Sequence, residues 1–199
     1  LKTTTLILLV LLTCLHSLIA QKTEATILFK NGEVLTGLAK FKGEEKIIFR
    51  KTKKSEKQVF ELDLVDTLKV HQKERSITYT QVRIKDSEKP KVLEMVSTGE
   101  KATLFRKISV GYNPGVPAPG GYGTGAIPTH YSISSSYVRK AGEDEAVYLG
   151  NNQLFSKNFK KGATELFQDC PSLIKKIENK EYKKKDIKDI IEFYNNECN

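Results

Sequence analysis

The residues able to do chemistry are few in this chain, and their spacing builds none of the usual reaction centres. Neither His71 nor His130 stands in an H-E-x-x-H setting, and the chain has no G-x-S-x-G and no C-x-x-C. Catalysis needs a nucleophile beside a base, a carboxylate pair or a metal cage. The sequence therefore assigns no catalytic residue, no metal ligand and no cofactor. His71 ends a strand-like run and reads as an edge or satisfied core residue. Glu143-Asp144-Glu145 could attract calcium, but consecutive acids lack the alternation of a calcium loop and read as a solvated turn. Gly121-Tyr122-Gly123-Thr124-Gly125 has the glycine density of a phosphate-cradling loop, yet neither a Lys-Ser/Thr pair nor a helix start follows it. Two sets remain. Tyr112, Tyr122, His130 and Tyr131 form an uncharged, aromatic-rich group suited to contact with a protein or a glycan. Cys170 and Cys198 could form a disulfide.

The aromatic set lies where the composition changes abruptly. The chain is 29% charged, but Gly111 to Val138 carries no charged residue, and Gly111 to His130 holds six of the 13 Gly and four of the 6 Pro. Such a stretch cannot build a core, so a long exposed loop is expected over residues 111–130. It reads either as a contact loop or as a passive insertion.

The chain opens with Lys2, a polar Thr3-Thr4-Thr5 and an apolar run from Leu6 to Leu12, then reaches a small residue at Ala20. This order matches a secretory signal over residues 1–20, and Thr13, Cys14, His16 and Ser17 interrupt it too soon for a membrane span. Cleavage after Ala20 would remove Cys14 and leave an even cysteine pair. The alternative is a lipoprotein anchored through Cys14. The formal charge is +9, or +8 without residues 1–20, which hold one Lys and no acid. The excess is carried by 28 Lys against 5 Arg. Arginine is the side chain favoured for bidentate phosphate and base recognition, so specific nucleic-acid binding is not expected. Weak attraction to anionic envelope surfaces is.

Residues 21–150 are mostly strand-like. Ala25 to Lys30 is apolar and β-prone, Asn31-Gly32 is a hairpin signal, and Val34 to Phe41, Lys46 to Arg50 and Val59 to Val70 continue the meander around a basic tip at Lys51 to Lys57. This order, with Gly37 in its second strand, resembles a small SH3-like or Sm-like barrel. Further strands are expected over Ile77 to Ile84, Val92 to Ser97, Ala102 to Val110, Tyr131 to Tyr137 and Ala146 to Leu149. Ile77 and Tyr79 share one phase and Val82 and Ile84 the other, which predicts a bulge near Thr80-Gln81.

After Gly150 the period changes to 3.6. Phe159, Ala163, Leu166 and Phe167 share one helical face. Pro171 suits a first helical position, with Leu173, Ile174 and Ile177 on one side. Asp186 can favour a third helix N-terminus before Ile187, Ile190, Ile191 and Tyr194, with Asn195 and Asn196 as stops. Two antiparallel rods of similar length return Cys170 and Cys198 to the same end, so a bridge between them is expected, as an oxidising compartment favours. The class is α+β: an antiparallel β-rich region followed by three helices in residues 151–199.

The run from Leu154-Phe155 through Leu166-Phe167-Gln168-Asp169-Cys170-Pro171 to Ile190-Ile191 and Tyr194-Asn195 resembles the C-terminus of a family of secreted Bacteroidetes proteins, in which a β-rich region precedes an F-x-D-C-P helical tail. The resemblance implies export and supplies no catalytic residue. The expectation is a secreted, non-catalytic module of the cell envelope, exported to the periplasm or beyond, with an envelope protein or glycan as partner. The alternative is a small-ligand carrier or enzyme with a cavity inside the β region. A filled core beside an exposed loop would favour the first.

Overall fold

The computed structural model describes residues 23–113, 129–152 and 159–198. The expected signal segment with Cys14 and Ala20, the glycine-rich residues 121–125 and Tyr122 lie outside these residues. The architecture is α+β, a mostly antiparallel ten-stranded sheet followed by three helices. The strands are β1 Thr23–Phe29, β2 Val34–Lys42, β3 Lys46–Arg50, β4 Gln58–Glu61, β5 Val65–His71, β6 Ser76–Ile84, β7 Lys91–Thr98, β8 Ala102–Asn113, β9 Thr129–Lys140 and β10 Glu145–Asn151. The helices are α1 Phe159–Leu166, α2 Pro171–Glu178 and α3 Ile187–Glu197.

Strands β1 to β5 form the first unit. The Asn31-Gly32 turn joins β1 to β2, with Gly32 at φ 87° and the Glu33 N–H donating to Asn31 Oδ1 at 3.0 Å. β1 pairs with both β2 and β5, and a 3-10 turn at Leu62–Leu64 delivers the chain into β5. The strand order is β5-β1-β2-β3-β4, with β4 and β5 at its two ends. Alternation turns Ala25, Ile27 and Phe29 to one side, where they meet Ala39, Ile47, Phe49, Leu62, Val65 and Leu68.

Strands β6 to β10 run antiparallel in chain order, and β10 then returns to β6 in parallel, pairing Glu145 with Arg83 and Ala146 with Ile84. That return closes the five strands on themselves. Val82, Ile84, Leu93, Phe105, Tyr137 and Ala146 fill the interior.

The expected bulge at Thr80-Gln81 is absent, since β6 pairs with β7 from Thr78 to Val82 without a shift. The change of phase has another cause. Tyr79 packs against the core of the first unit, whereas Val82 and Ile84 belong to the second, so one regular strand buries opposite faces at its two ends. The register shifts fall at Leu28/Phe29, between Met95 and Ser97, and between Tyr148 and Gly150, the last with Gly150 at φ 131°.

The helices cover the outer side of β8, β9 and β10. Ala102, Leu104, Val138 and Leu149 on the strands meet Phe167, Leu173, Ile177, Ile190, Ile191 and Tyr194 on the cap. Cys170 and Cys198 are bonded, with their Cα atoms 5.5 Å apart, so the expected bridge closes the α2–α3 hairpin. Asn195 does not stop α3, which runs on to Glu197.

Candidate binding face and hairpin arm

A loop is expected from sequence over residues 111–130, but both ends of that span are strand. β8 and β9 pair from Ala102↔Lys140 as far as Tyr112↔His130 and Asn113↔Thr129, so Gly111, Tyr112, His130 and Tyr131 are strand residues. β7 reaches β8 only as far as Arg106, and β10 reaches β9 only from Ser135 to Val138. Beyond Lys107 and Ser135 no further strand pairs with either of them among the described residues, and Asn152 bonds the β9 backbone at Ser134 and Ser132. Six residue pairs at about 3.3 Å per residue make a two-stranded arm roughly 20 Å long.

Alternation sorts the arm into two faces. Ile108, Val110 and Tyr112 stand opposite Ser134, Ser132 and His130, and Val110 is 73% exposed. The Tyr112 and His130 rings lie 5.1 Å apart between centroids. On the other face Tyr131 lies over Gly111, where an added Cβ would come within 2.2 Å of the ring. Only glycine leaves the tyrosine that resting place. Of the four aromatic positions read from the sequence, Tyr112, His130 and Tyr131 therefore gather on the arm. Ile108 and Val110 were missed as contact candidates, although their alternation with Tyr112 carries the signal.

At the base of the arm one row of residues crosses four strands: Tyr79 on β6, Glu94 on β7, Arg106 on β8 and Ser136 on β9. Arg106 Nη2 donates to Glu94 Oε1 at 2.7 Å and its Nε to Oε2 at 3.1 Å. This two-pronged contact satisfies both carboxylate oxygens of a buried side chain. Burial, and then the Glu94 charge, raise the Tyr79 hydroxyl above the ordinary phenol value.

Arg106 also separates two hollows. On one side, about 320 Å³ is lined by Phe41, Tyr79, Val92 and Ile108, with the Phe41 and Tyr79 rings edge to face at 5.2 Å. Lys107 closes that end by an ion pair to Glu44, whose carboxyl it lowers through the hydrogen bond and its charge. On the other side, about 370 Å³ lies beneath the helical cap, lined by Val96, Leu104, Ser134, Ser136 and Asn152 from the sheet side and by Lys184, Lys185, Ile187 and Lys188 from the cap.

No protein-family model, curated protein or solved structure matches this chain.

The F-x-D-C-P motif is a structural clasp. Phe167 is fully buried and its ring lies 4.9 Å from that of Tyr194. Asp169 Oδ2 accepts from Tyr194 Oη at 2.6 Å and from Lys140 Nζ at 2.8 Å, while Lys140 also donates to the Leu166 carbonyl at 3.2 Å. Burial alone would raise the Asp169 carboxyl, but the hydrogen bonds from Lys140 and Tyr194 outweigh it and hold it below the usual value. Burial likewise acts to lower Lys140, and its bonds to Asp169 and Tyr194 leave it raised. Cys170 then forms the disulfide and Pro171 opens α2. Each position of the motif thus has a task in docking the cap.

The other chemical candidates are structural or solvated. His71 Nε2 bonds Thr26 Oγ1 and its Nδ1 bonds Ser76 Oγ, both at 3.1 Å, so both ring nitrogens are engaged. Glu143 and Asp144 are exposed in the β9–β10 turn, and Glu145 is exposed at the start of β10. Among the described residues, no group of three His, Cys, Asp or Glu side chains is placed to hold a metal ion, and no helix is long and apolar enough to cross a membrane.

Proposed function

We propose that this protein is a secreted, non-catalytic binding module of the cell envelope, and that the β8–β9 arm grips a protein partner. One observation carries the reading. Ile108, Val110 and Tyr112 stand exposed on one face of an arm that neither β7 nor β10 covers. Exposed apolar and aromatic side chains without charge suit the centre of a protein interface, and the open β8 edge of the ribbon can accept an added strand. Export is supported by the leader-like residues 1–20, by the disulfide and by the resemblance of the C-terminal tail to secreted Bacteroidetes proteins.

The alternative, a carrier or enzyme with a cavity inside the β region, finds less support. Ile27, Ile47 and Leu68 fill the first unit, and Val82, Leu93 and Phe105 fill the second.

The test is quantitative capture from envelope extracts with the intact protein and with Val110→Ser/Tyr112→Ser. These side chains are exposed, so the variant should melt like the parent. Recovery of a specific partner should fall by about tenfold, the loss expected when an apolar anchor is removed from an interface. Equal recovery by both proteins would remove the arm as the contact element. Replacing residues 116–126 by a short Gly-Ser link then separates the strands of the arm from the segment that joins them.

A further inference from the structure

The hollow beneath the helical cap joins cations to neutral polar groups. Three lysines and Arg106 line it, and no carboxylate does. Arg106 is committed to Glu94, so the positive charge offered to a ligand is that of Lys185 and Lys188 on the cap. Lys184 and Lys185 lie on the 3-10 turn Lys184–Asp186 and Lys188 on the first turn of α3. The turn is held in shape by Asp186, whose Oδ2 accepts from the Lys183 N–H at 2.9 Å, and the start of α3 is anchored by buried Ile187. Lys188 faces Glu192 at 3.4 Å, an exposed helical pair of the weak kind that a ligand anion readily replaces.

The remaining lining is polar and neutral over an apolar floor. Ser134, Ser136 and Asn152 offer hydroxyl and amide groups, and Val96, Leu104 and Ile187 supply the floor. Asn152 is fixed in place, since its Oδ1 accepts from the Ser134 N–H at 2.9 Å and its Nδ2 donates to the Ser132 carbonyl at 3.2 Å. The hollow's 370 Å³ lies within the roughly 300–1,000 Å³ of small-ligand sites.

Cations, hydroxyls and amides over an apolar floor match one ligand chemistry. We infer that the hollow between the β7–β9 face and the start of α3 binds an anionic saccharide, its acidic group held by Lys185 and Lys188, its hydroxyls by the β9 serines and Asn152. Lysine is a point charge rather than a two-pronged fork, so it accepts a carboxylate or a phosphate on a sugar without demanding one geometry. An acidic peptide would satisfy the charge but leave the hydroxyl-bearing wall with less to bind. This site is separate from the exposed tip of the arm.

Titration calorimetry with tetragalacturonate, maltotetraose and tetraglutamate tests it on the oxidised protein. Tetragalacturonate should bind and maltotetraose should not. Lys185→Gln/Lys188→Gln should weaken tetragalacturonate by about tenfold, while Lys53→Gln/Lys54→Gln, which removes the same charge at the β3–β4 tip, should change it by no more than about twofold. Val110→Ser/Tyr112→Ser should leave the affinity unaltered, so failure here and failure of the arm are read apart. Four results would overturn the inference: no tetragalacturonate binding, equal weakening by the two lysine pairs, equal affinity for maltotetraose, or tetraglutamate bound as tightly as the sugar.

Discussion

Glu94 is the buried charged residue of the described core, and it is stable there because Arg106 on the next strand meets both of its oxygens. Arg106→Met should leave that carboxylate without its countercharge and lower unfolding free energy in urea by about 3 kcal/mol, whereas adding Glu94→Leu should recover most of the loss. A single variant no worse than the double one would show that the pair contributes nothing of this kind. Asn195 makes the second residue-scale case. From inside α3 its Oδ1 accepts from the N–H groups of Lys101 at 3.1 Å and Ala102 at 2.8 Å, and its Nδ2 donates to the Ala102 carbonyl at 3.0 Å. Gly99 makes room for it, because a Cβ there would come within 2.2 Å of the Asn195 side chain. Asn195→Ala should therefore cost about 1–3 kcal/mol, as partly buried backbone groups lose their partners, and thermal melting should show it. Gly99→Ala should destabilise through the clash, and adding Asn195→Ala to it should cost less than the separate losses combined.

At the scale of elements, the α2–α3 hairpin and the β8–β9 arm are opposites. The hairpin presents Leu173, Ile177, Ile190 and Ile191 to the sheet and is closed by a bond spanning 28 residues. Replacing Cys170 and Cys198 by Ser should lower stability by about 3–4 kcal/mol, the chain-entropy value for a loop of that size, with the helical signal melting before the sheet. Coincident melting of helix and sheet at the parent temperature would contradict this. The arm buries little, and its backbone hydrogen bonds lie open to water. Amides of Ile108 to Tyr112 should exchange with deuterium well ahead of those of Leu104 and Phe105, where β7 covers the same strand. Equal protection along β8 would mean that the arm is covered in solution.

Across the whole molecule, the Lys140–Asp169–Tyr194 clasp joins the end of β9 to the cap and should make cap docking depend on pH. Asp169 is lowered in the folded state, so its contribution is present above the ordinary carboxylate value and is lost as pH falls through the lowered one. Lys140 is raised, so its contribution is present below the ordinary lysine value and is lost as pH rises through the raised one. Loss of stability should therefore steepen below about pH 4 and again above about pH 10. Asp169→Asn should flatten the acid limb, and an unchanged limb in that variant would assign it to other carboxylates.

What the chain determines by itself is what depends on neighbours in sequence. Alternation before Gly150 and the 3.6 period after it specify strands and then helices, the Asn31-Gly32 pair specifies a hairpin, and two cysteines flanking rods of similar length specify a bridge. Each is a property of a short segment, so it can be read without knowing what the segment packs against. The tertiary structure decided the rest through partners far away in the chain. The two phases of β6 make sense only when Tyr79 meets one core and Val82 the other. Residues 111–113 and 129–131 are strand because each finds the other across the segment between them, and local glycine and proline content does not report that pairing. Asn195 reads as a helix stop until its amide meets the turn at Lys101. The hollow beneath the cap is assembled from β7, β8, β9, the end of β10, the 3-10 turn and α3. Its lysines are indistinguishable in sequence from the many solvated ones, and only packing sets them opposite Ser134, Ser136 and Asn152.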